Sequence, residues 1–129
     1  MAFNFPTQFR FADSHEYASL DGDFVKVGIS AFAVDQLGDI VFVDLPELGK
    51  VLERGKPFGS VESVKAVEDM YAPVTGEIVE VNESVLASPE ALQNDPHGEG
   101  WLLKLKPSDL SQLEELMDSE SYEGKVGVK

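Results

Sequence analysis

Lys65 is the residue of this chain best suited to carry covalently attached chemistry. It lies near the middle of the stretch from Gly59 to Pro73, between the small apolar residues Val64 and Ala66. A lysine with an ordinary pKa near 10.4 is neutral in well under ~1% of molecules at pH 7, so its amine is a poor nucleophile without help. An enzyme that delivers a pre-activated acyl group would remove this difficulty. The simpler interpretation is that Lys65, one of eight lysines, is a solvated surface charge.

The other side chains offer little further chemistry. The chain has no cysteine, so any thiol or redox chemistry must come from an attached or bound group. The two histidines, His15 and His97, lie in separate polar segments without a ligand-spaced partner, so the sequence predicts no metal site. The segment 98–100 is too short for a phosphate-binding loop. Nothing selects a catalytic pair among the 24 acidic residues.

The acidic composition limits the possible partners. Ten basic and 24 acidic residues give a net charge of −14, which would repel nucleic acid phosphates and anionic lipid surfaces. No apolar run approaches the ~20 residues of a transmembrane helix, and residues 1–10 lack the pattern of a secretory signal. We therefore expect a cytoplasmic protein whose partners are proteins or cationic small molecules, with no nucleic acid and no membrane among them.

Two similar segments flank the Lys65 stretch and must position it. Gly38–Asp44 and Gly76–Asn82 share the order glycine, acid, isoleucine, valine, any residue, valine and Asx. Their β-branched residues predict a strand on each side of Lys65. The chain between these two strands must reverse its direction, and Lys65 would lie at that turn.

The stretch itself carries two conflicting signals. Apolar residues recur at every third position, which by periodicity alone favours a helix; they are Phe58, Val61, Val64, Val67 and Met70. Gly59, two serines and the β-branched valines oppose a helix. Because the flanking repeat also favours strands, we predict a hairpin with Lys65 at its bend.

Turn and capping signals divide the remainder of the chain. They predict a hairpin of residues 14–20 with 24–29, a helix over 31–37 between the N-cap Ser30 and Gly38, a helical turn over 84–93 and a strand over 101–105. After Pro107, Ser108 is predicted to cap a helix. Its apolar stripe would consist of Leu110, Leu113, Leu116 and Met117.

The two ends of the chain are predicted differently. Near the start, alternating aromatic residues indicate an edge strand or a docked tail; they are Phe3, Phe5, Phe9 and Phe11. Residues 119–129 are polar and predicted to be a frayed tail. A chain of 129 residues corresponds to one domain, 1–129, with its core over about 8–118.

The octet from Gly59 to Ala66, Gly-Ser-Val-Glu-Ser-Val-Lys-Ala, resembles the lipoylation site of the glycine cleavage system H proteins. Further segments follow in that family's order and spacing, so that the resemblance covers roughly residues 8–122; they are 14–16, 38–47, 55–56, 73–82 and 98–105. Biotin carriers place methionines on both sides of their lysine, where this chain has Val64 and Ala66. Peripheral lipoyl domains of 2-oxoacid dehydrogenases usually have an aspartate before the lysine.

The resemblance implies a mainly β fold, a barrel-sandwich hybrid of two antiparallel sheets with short helices and a C-terminal helix. It implies a non-enzymatic carrier with lipoate joined by an amide to Lys65. The implied partners are glycine decarboxylase, which loads an aminomethyl group, an aminomethyltransferase, which removes it, a dihydrolipoyl dehydrogenase, which reoxidises the dithiol, and lipoylating enzymes.

The resemblance also implies roles for other residues. Positions matching Ser14, Glu16 and Asp69 line the groove in which the arm docks, and Glu16 and Asp69 would hold the loaded amine. Glu62 matches an acid by which lipoylating enzymes recognise the hairpin; its alternative interpretation is a solvated strand charge. Gln36 replaces a common histidine near the groove, so we assign no acid–base role there. Tyr17 replaces the usual tryptophan, which we expect to affect packing only.

Two other functions remain open at this stage. One is a lipoyl relay, an H-like protein that donates its lipoyl group to other lipoyl domains. The other is an unmodified acidic interaction module in which Lys65 is incidental. A lipoyl group found on Lys65 would exclude the second of these.

Overall fold

The computed structural model describes residues 5–126. Within this range the strands are Arg10–Phe11 (β1), Glu16–Asp21 (β2), Phe24–Ile29 (β3), Ile40–Asp44 (β4), Val51–Leu52 (β5), Pro57–Ser63 (β6), Val67–Tyr71 (β7), Gly76–Val81 (β8) and Leu103–Pro107 (β9). The helices are Ala31–Leu37 (α1), Glu83–Ala87 (α2), Glu90–Asn94 (α3), Ser111–Glu114 (α4) and Ser119–Val126 (α5). No helix in the described range is both long and apolar enough to cross a bilayer.

The strands form two antiparallel sheets, which confirms the predicted mainly β architecture. The larger sheet has the order β1-β2-β3-β9-β8-β5, and the smaller has the order β4-β6-β7. The two repeat segments both form strands as predicted, but they lie in different sheets, β4 beside β6 and β8 between β9 and β5. The two similar segments therefore adopt the same conformation but do not pair with each other.

The apolar residues of both sheets enclose the main core. The larger sheet contributes side chains such as Val27 and Leu103, and the smaller sheet contributes Val43, Val61 and Met70. All five are buried. Burial of this apolar surface supplies the main driving force for holding the two sheets face to face.

The Lys65 stretch forms the predicted hairpin, and the helix favoured by its three-residue period does not form. Strands β6 and β7 pair in antiparallel register, from Pro57 opposite Tyr71 to Glu62 opposite Val67. The three-residue apolar period is split by the bend, so that Val61 and Met70 face the core while Val64 and Val67 are exposed. A periodicity of apolar residues that continues across a turn therefore does not indicate a helix.

Helix α1 begins and ends where its capping signals predict. The Ser30 side chain accepts a hydrogen bond from the Ala33 amide, and Gly38 follows the helix with φ of 83°. Serine satisfies an orphan amide at a helix start, and glycine tolerates a positive φ beyond a helix end. The predicted helical turn over 84–93 is divided into α2 and α3 around Pro89.

The prediction of a frayed tail over 119–129 is wrong for residues 119–126, which form α5; residues 127–129 lie outside the described range. Tyr122 of this helix is fully buried against an aromatic cluster that also contains Phe5, Phe9, Phe11 and Tyr17. The core therefore extends beyond 8–118 at both ends. A single aromatic anchor in a polar segment produces no periodic stripe, so local pattern could not reveal it.

The predicted helix after Pro107 is also corrected. Helix α4 spans only Ser111–Glu114, and the side chain of Asp109 rather than Ser108 accepts a hydrogen bond from the Ser111 amide, at 3.0 Å. Leu113 and Leu116 are buried, whereas Leu110 is exposed. At the other end of the chain only Arg10–Phe11 forms a strand, and Phe5 and Phe9 dock as a tail; Phe3 lies outside the described residues.

Candidate functional site

Lys65 is exposed at a bend that its neighbours close by hydrogen bonds. The Ser63 amide donates to the Ala66 carbonyl at 2.8 Å, and the Ser63 Oγ accepts from the Ala66 amide at 3.1 Å and from the Lys65 amide at 3.3 Å. The Val64 amide donates to the Asp39 carbonyl at 3.0 Å, which joins the bend to the segment before β4. The backbone of the bend is therefore fixed while the side chain of Lys65 is free to extend.

Ser63 shapes the bend that carries Lys65, and no role for it was predicted from the sequence. Ser63 is buried, with 5% of the residue exposed, and its Oγ is the acceptor for the Lys65 and Ala66 amides. Serine hydroxyls commonly stabilise turns by accepting from amides two or three residues ahead. That signal was present in the sequence, two residues before Lys65.

Glu62 is exposed on the outer face of the smaller sheet, in a row with two apolar residues. The register places it opposite Phe42 on β4 and opposite Val67 on β7. Phe42 and Val67 are 54% and 60% exposed. In residues 5–126 no lysine or arginine forms an ion pair with Glu62. An acid between exposed apolar side chains, three residues before Lys65, is a surface that a protein partner could recognise.

A groove of about 380 Å³ begins at Ala66, the residue after Lys65. Ser14, Glu16 and Asp69 all line it, so the structure brings these three predicted residues together. Ser14 and Glu16 reach the groove from the start of β2, and Asp69 reaches it from β7. Gln36 also lines the groove, from α1.

Glu16 lies at the floor of this groove rather than on its surface. Its side chain is buried, with 1% of the residue exposed. The Ser14 hydroxyl donates to its Oε1, and the Tyr71 amide donates to its Oε2 at 2.9 Å. Burial raises the pKa of the Glu16 carboxyl, because desolvation disfavours the charged form, while these hydrogen bonds act in the opposite direction. A carboxylate in this position would attract a cation that entered the groove.

His15 also lines the groove, although its sequence context raised only the question of a metal ligand. It is the one non-glycine residue in the described range with a positive φ, at 82°. Its Nδ1 lies 2.7 Å from the hydroxyl oxygen of Tyr122. Burial and the charge of Lys125 lower the pKa of the His15 imidazole, with Asp13 opposing them. In residues 5–126 no three histidine or acidic side chains converge as a metal site would require.

Tyr17 lies away from the groove, in the aromatic cluster. Its ring stacks on Phe9 with centroids 4.6 Å apart, and its hydroxyl donates to the Pro96 carbonyl at 2.8 Å. The ring also fills the space above Gly28, where a Cβ would lie 2.6 Å from ring atoms. Tyr17 thus has a packing role.

Comparisons with known proteins agree on one family. A family model described as the glycine cleavage H-protein matches residues 9–128. A glycine cleavage system H protein from Prochlorococcus marinus (strain MIT 9303) is 71% identical over 129 residues, with 100% of each chain covered. One from Parasynechococcus marenigrum (strain WH8102) is 75% identical over 128 residues, with 99% of each covered.

A solved structure gives the same result. The crystal structure of a glycine cleavage system H protein from Mycobacterium marinum is similar with a TM-score of 0.89 and 38% sequence identity. The match covers 96% of this chain and 100% of that one. The chain therefore belongs to the glycine cleavage H-protein family, whose members are lipoyl carriers of the glycine cleavage system and not enzymes themselves.

Proposed function

We propose that lipoate is attached by an amide to the Nζ of Lys65 and that the chain carries it among the enzymes of the glycine cleavage system. The observation that carries this proposal is an exposed lysine on a hydrogen-bonded bend, with a groove beginning at the next residue. When bound, the lipoyl group would supply a disulfide that is reduced by two electrons as one of its sulfurs accepts the aminomethyl group. The chain itself has no cysteine, so it contributes no competing thiol.

The bend would present Lys65 to a lipoylating enzyme. The Ser63 hydroxyl holds the backbone amides of Lys65 and Ala66, so the backbone of the bend is already ordered before the enzyme binds. Binding therefore costs less conformational entropy. Glu62, between Phe42 and Val67, would supply a charge and an apolar surface for recognition. The lipoylating enzyme must contact Lys65 itself, so it is the partner most directly placed to use this row.

The groove would hold the loaded arm between docking events. The aminomethyl group carries a protonated amine, and a carboxylate ~4 Å from it contributes ~1 kcal/mol in water or ~4 kcal/mol in a partly desolvated site. Glu16 at the floor and Asp69 on the wall are the acids we assign to this role, with Ser14 fixing the Glu16 carboxylate. An energy of this size retains the arm yet allows a partner enzyme to withdraw it.

The partners in this proposal are glycine decarboxylase, the aminomethyltransferase, dihydrolipoyl dehydrogenase and the lipoylating enzymes. A tethered arm offers its dithiol at a millimolar-scale effective concentration to whichever enzyme the carrier has docked on. The net charge of −14 favours partners with basic docking surfaces and binding that weakens with added salt. We place this work in the cytoplasm, which locating a tagged chain in cells would test.

Intact-mass measurement tests the attachment. The chain is incubated with lipoate, ATP and a lipoylating enzyme, and we expect it to gain one lipoyl group, whereas Lys65→Arg gains none. Lys56→Arg, another exposed lysine of the smaller-sheet region, is the matched control and should be modified normally. An unmodified chain, or modification of Lys65→Arg, would exclude a carrier acting through Lys65.

A second experiment separates the glycine cleavage carrier from a lipoyl relay. The lipoylated chain is incubated with glycine decarboxylase, glycine and labelled bicarbonate. Exchange of label into the carboxyl group of glycine is expected for a carrier of aminomethyl groups. Transfer of lipoyl to other lipoyl domains without such exchange would favour the relay.

A further inference from the structure

One tyrosine hydroxyl contacts both His15, at the groove, and the serine that caps α1. The Tyr122 oxygen lies 2.7 Å from the Nδ1 of His15 and 2.6 Å from the Oγ of Ser30. His15 is itself a groove residue. Ser30 caps α1, the helix that supplies Phe32 and Gln36 to the lining, and its amide donates to the His15 carbonyl at 2.9 Å. Helix α5, which does not line the groove, thus contacts His15 and the cap of α1 through a single atom.

The surroundings of Tyr122 hold that atom in place. Tyr122 is fully buried, and its ring stacks on Phe11 with centroids 4.4 Å apart and an interplanar angle of 5°. The Phe5 ring packs edge-on at 5.1 Å. Burial raises the pKa of Tyr122 to about 12, so its hydroxyl retains its proton at neutral pH and can donate. A rigid ring with a protonated hydroxyl is suited to position its partners.

One arrangement of hydrogens satisfies every polar group in this contact. Ser30 Oγ accepts from the Ala33 amide and donates to the Tyr122 oxygen, and Tyr122 then donates to the Nδ1 of His15. In this arrangement His15 is neutral with its proton on Nε2. The positive φ of His15 disfavours its backbone conformation, which persists only where surrounding contacts enforce it.

We propose that Tyr122 is a positioning residue of the arm-docking groove, and that its hydroxyl fixes the orientation of the His15 ring relative to the start of α1 so that the groove retains the loaded arm. This inference rests on the proposed function, since it concerns the same groove. Tyr122 is not among the residues that line the groove. Its effect is transmitted through His15 and Ser30.

The first experiment measures how fast the isolated loaded carrier decays. In that reaction one water and the aminomethyl thioether yield thiol, formaldehyde and ammonium, and formaldehyde release is followed over time. Losing a hydrogen bond of ordinary strength corresponds to a factor of roughly 3 to 10, so Tyr122→Phe should accelerate release by about that factor. Tyr17→Phe is the matched control, because it too removes a hydrogen-bonded hydroxyl from a buried tyrosine. The Tyr17 hydroxyl donates to the Pro96 carbonyl, and Tyr17 does not line the groove. Its release rate should equal that of the wild type.

The second experiment uses the unmodified chain and needs no loaded arm. The ¹⁵N signals of the His15 ring should show the Nε2–H tautomer in the wild type and in Tyr17→Phe, and a mixture of tautomers in Tyr122→Phe. His15→Asn retains a residue that tolerates positive φ. Combining it with Tyr122→Phe should accelerate release by less than the product of the two single effects, because both act on one contact.

The results also distinguish this inference from the proposed function. If Glu16→Gln with Asp69→Asn accelerates release while Tyr122→Phe does not, the positioning role is wrong and the groove assignment stands. If neither accelerates release, both are wrong. Equal acceleration by Tyr17→Phe and Tyr122→Phe would show a general loosening of the fold and would also overturn the inference.

Discussion

The Oγ of Ser63 lies 3.1 Å from the amide nitrogen of Ala66, across the bend that presents Lys65. This contact spans the lysine, so it fixes the residues before and after it while leaving the side chain unrestrained. Replacing Ser63 by alanine leaves the amides of Lys65 and Ala66 without their acceptor, which should cost about 1–2 kcal/mol of unfolding free energy. Urea denaturation measures this loss.

The same change should slow lipoylation, because the bend is then less ordered before the enzyme binds. Ser63→Thr retains the hydroxyl and suits a strand position, so it should keep both the stability and the lipoylation rate. Equal lipoylation rates for Ser63→Ala and wild type would show that the bend need not be preordered.

The row of Phe42, Glu62 and Val67 should determine how fast Lys65 is lipoylated. Glu62→Gln removes the charge and Phe42→Ser removes apolar surface, and each should lower kcat/KM for lipoylation roughly fivefold, equivalent to about 1 kcal/mol of interface energy. Leu48→Ser is the control, since Leu48 is 63% exposed but lies outside the row. If Glu62→Gln is lipoylated at the normal rate, Glu62 is an ordinary solvated charge.

Neutralising Glu16 and Asp69 together should shorten the lifetime of the loaded carrier. Each carboxylate near the protonated amine contributes between ~1 and ~4 kcal/mol, so the Glu16→Gln, Asp69→Asn chain should release formaldehyde at least roughly fivefold faster. The Glu47→Gln, Glu53→Gln chain undergoes the same change in net charge at exposed positions outside the groove and should behave as wild type. An unchanged rate in the groove variant would refute the assignment.

Gly59 allows β6 to approach β4 more closely than any other residue would. A Cβ at this position would lie 2.2 Å from the carbonyl oxygen of Asp44, so the backbone of one strand would have to move. Gly59→Ala should therefore lower the unfolding free energy by about 2 kcal/mol or more. A Cβ on Gly124 in α5 would instead point into open space, with no neighbouring side chain of the described residues within 4 Å, so Gly124→Ala should stabilise by up to about 1 kcal/mol. Urea denaturation of both variants measures the contrast, and similar stabilities would contradict it.

Glu16 should make the stability of the unmodified chain fall as pH rises. Its pKa is raised above the ordinary value of 4.5 in the folded chain, so the folded state holds the proton more tightly than the unfolded state does. The stabilisation that this provides is complete below pH 4.5 and is lost as pH rises through the raised pKa. Glu16→Gln cannot titrate, so its unfolding free energy relative to wild type should increase over this range. Urea denaturation at a series of pH values measures the difference, and a difference independent of pH would contradict the shift.

The hairpin was predictable because its signals are local. The flanking repeat, the serines and glycine of the stretch, and the β-branched valines all act on the conformation of nearby residues. The same is true of α1, whose cap Ser30 and terminator Gly38 adjoin it. The exposed lysine on its bend could therefore be located from a short stretch, and the resemblance to a family supplied the names of the groove residues.

The C-terminal part shows where local pattern failed. The polar composition of residues 119–126 predicted fraying, yet Tyr122 anchors α5 in the aromatic cluster. The stripe after Pro107 predicted a longer helix, yet only Ser111–Glu114 is helical. Whether a segment folds depends on a partner surface that is distant in the sequence, and a single anchor leaves no period to detect.

By itself the sequence determined an exposed lysine on a hairpin bend in a mainly β chain that contributes no thiol of its own. Only the tertiary structure decided that Glu16 is buried beneath Ser14 and that His15 contacts Tyr122, a residue 107 positions away. The physical reason is that propensity and periodicity report on neighbours a few residues apart, whereas burial and hydrogen-bond partners depend on how strands and helices pack across the whole chain.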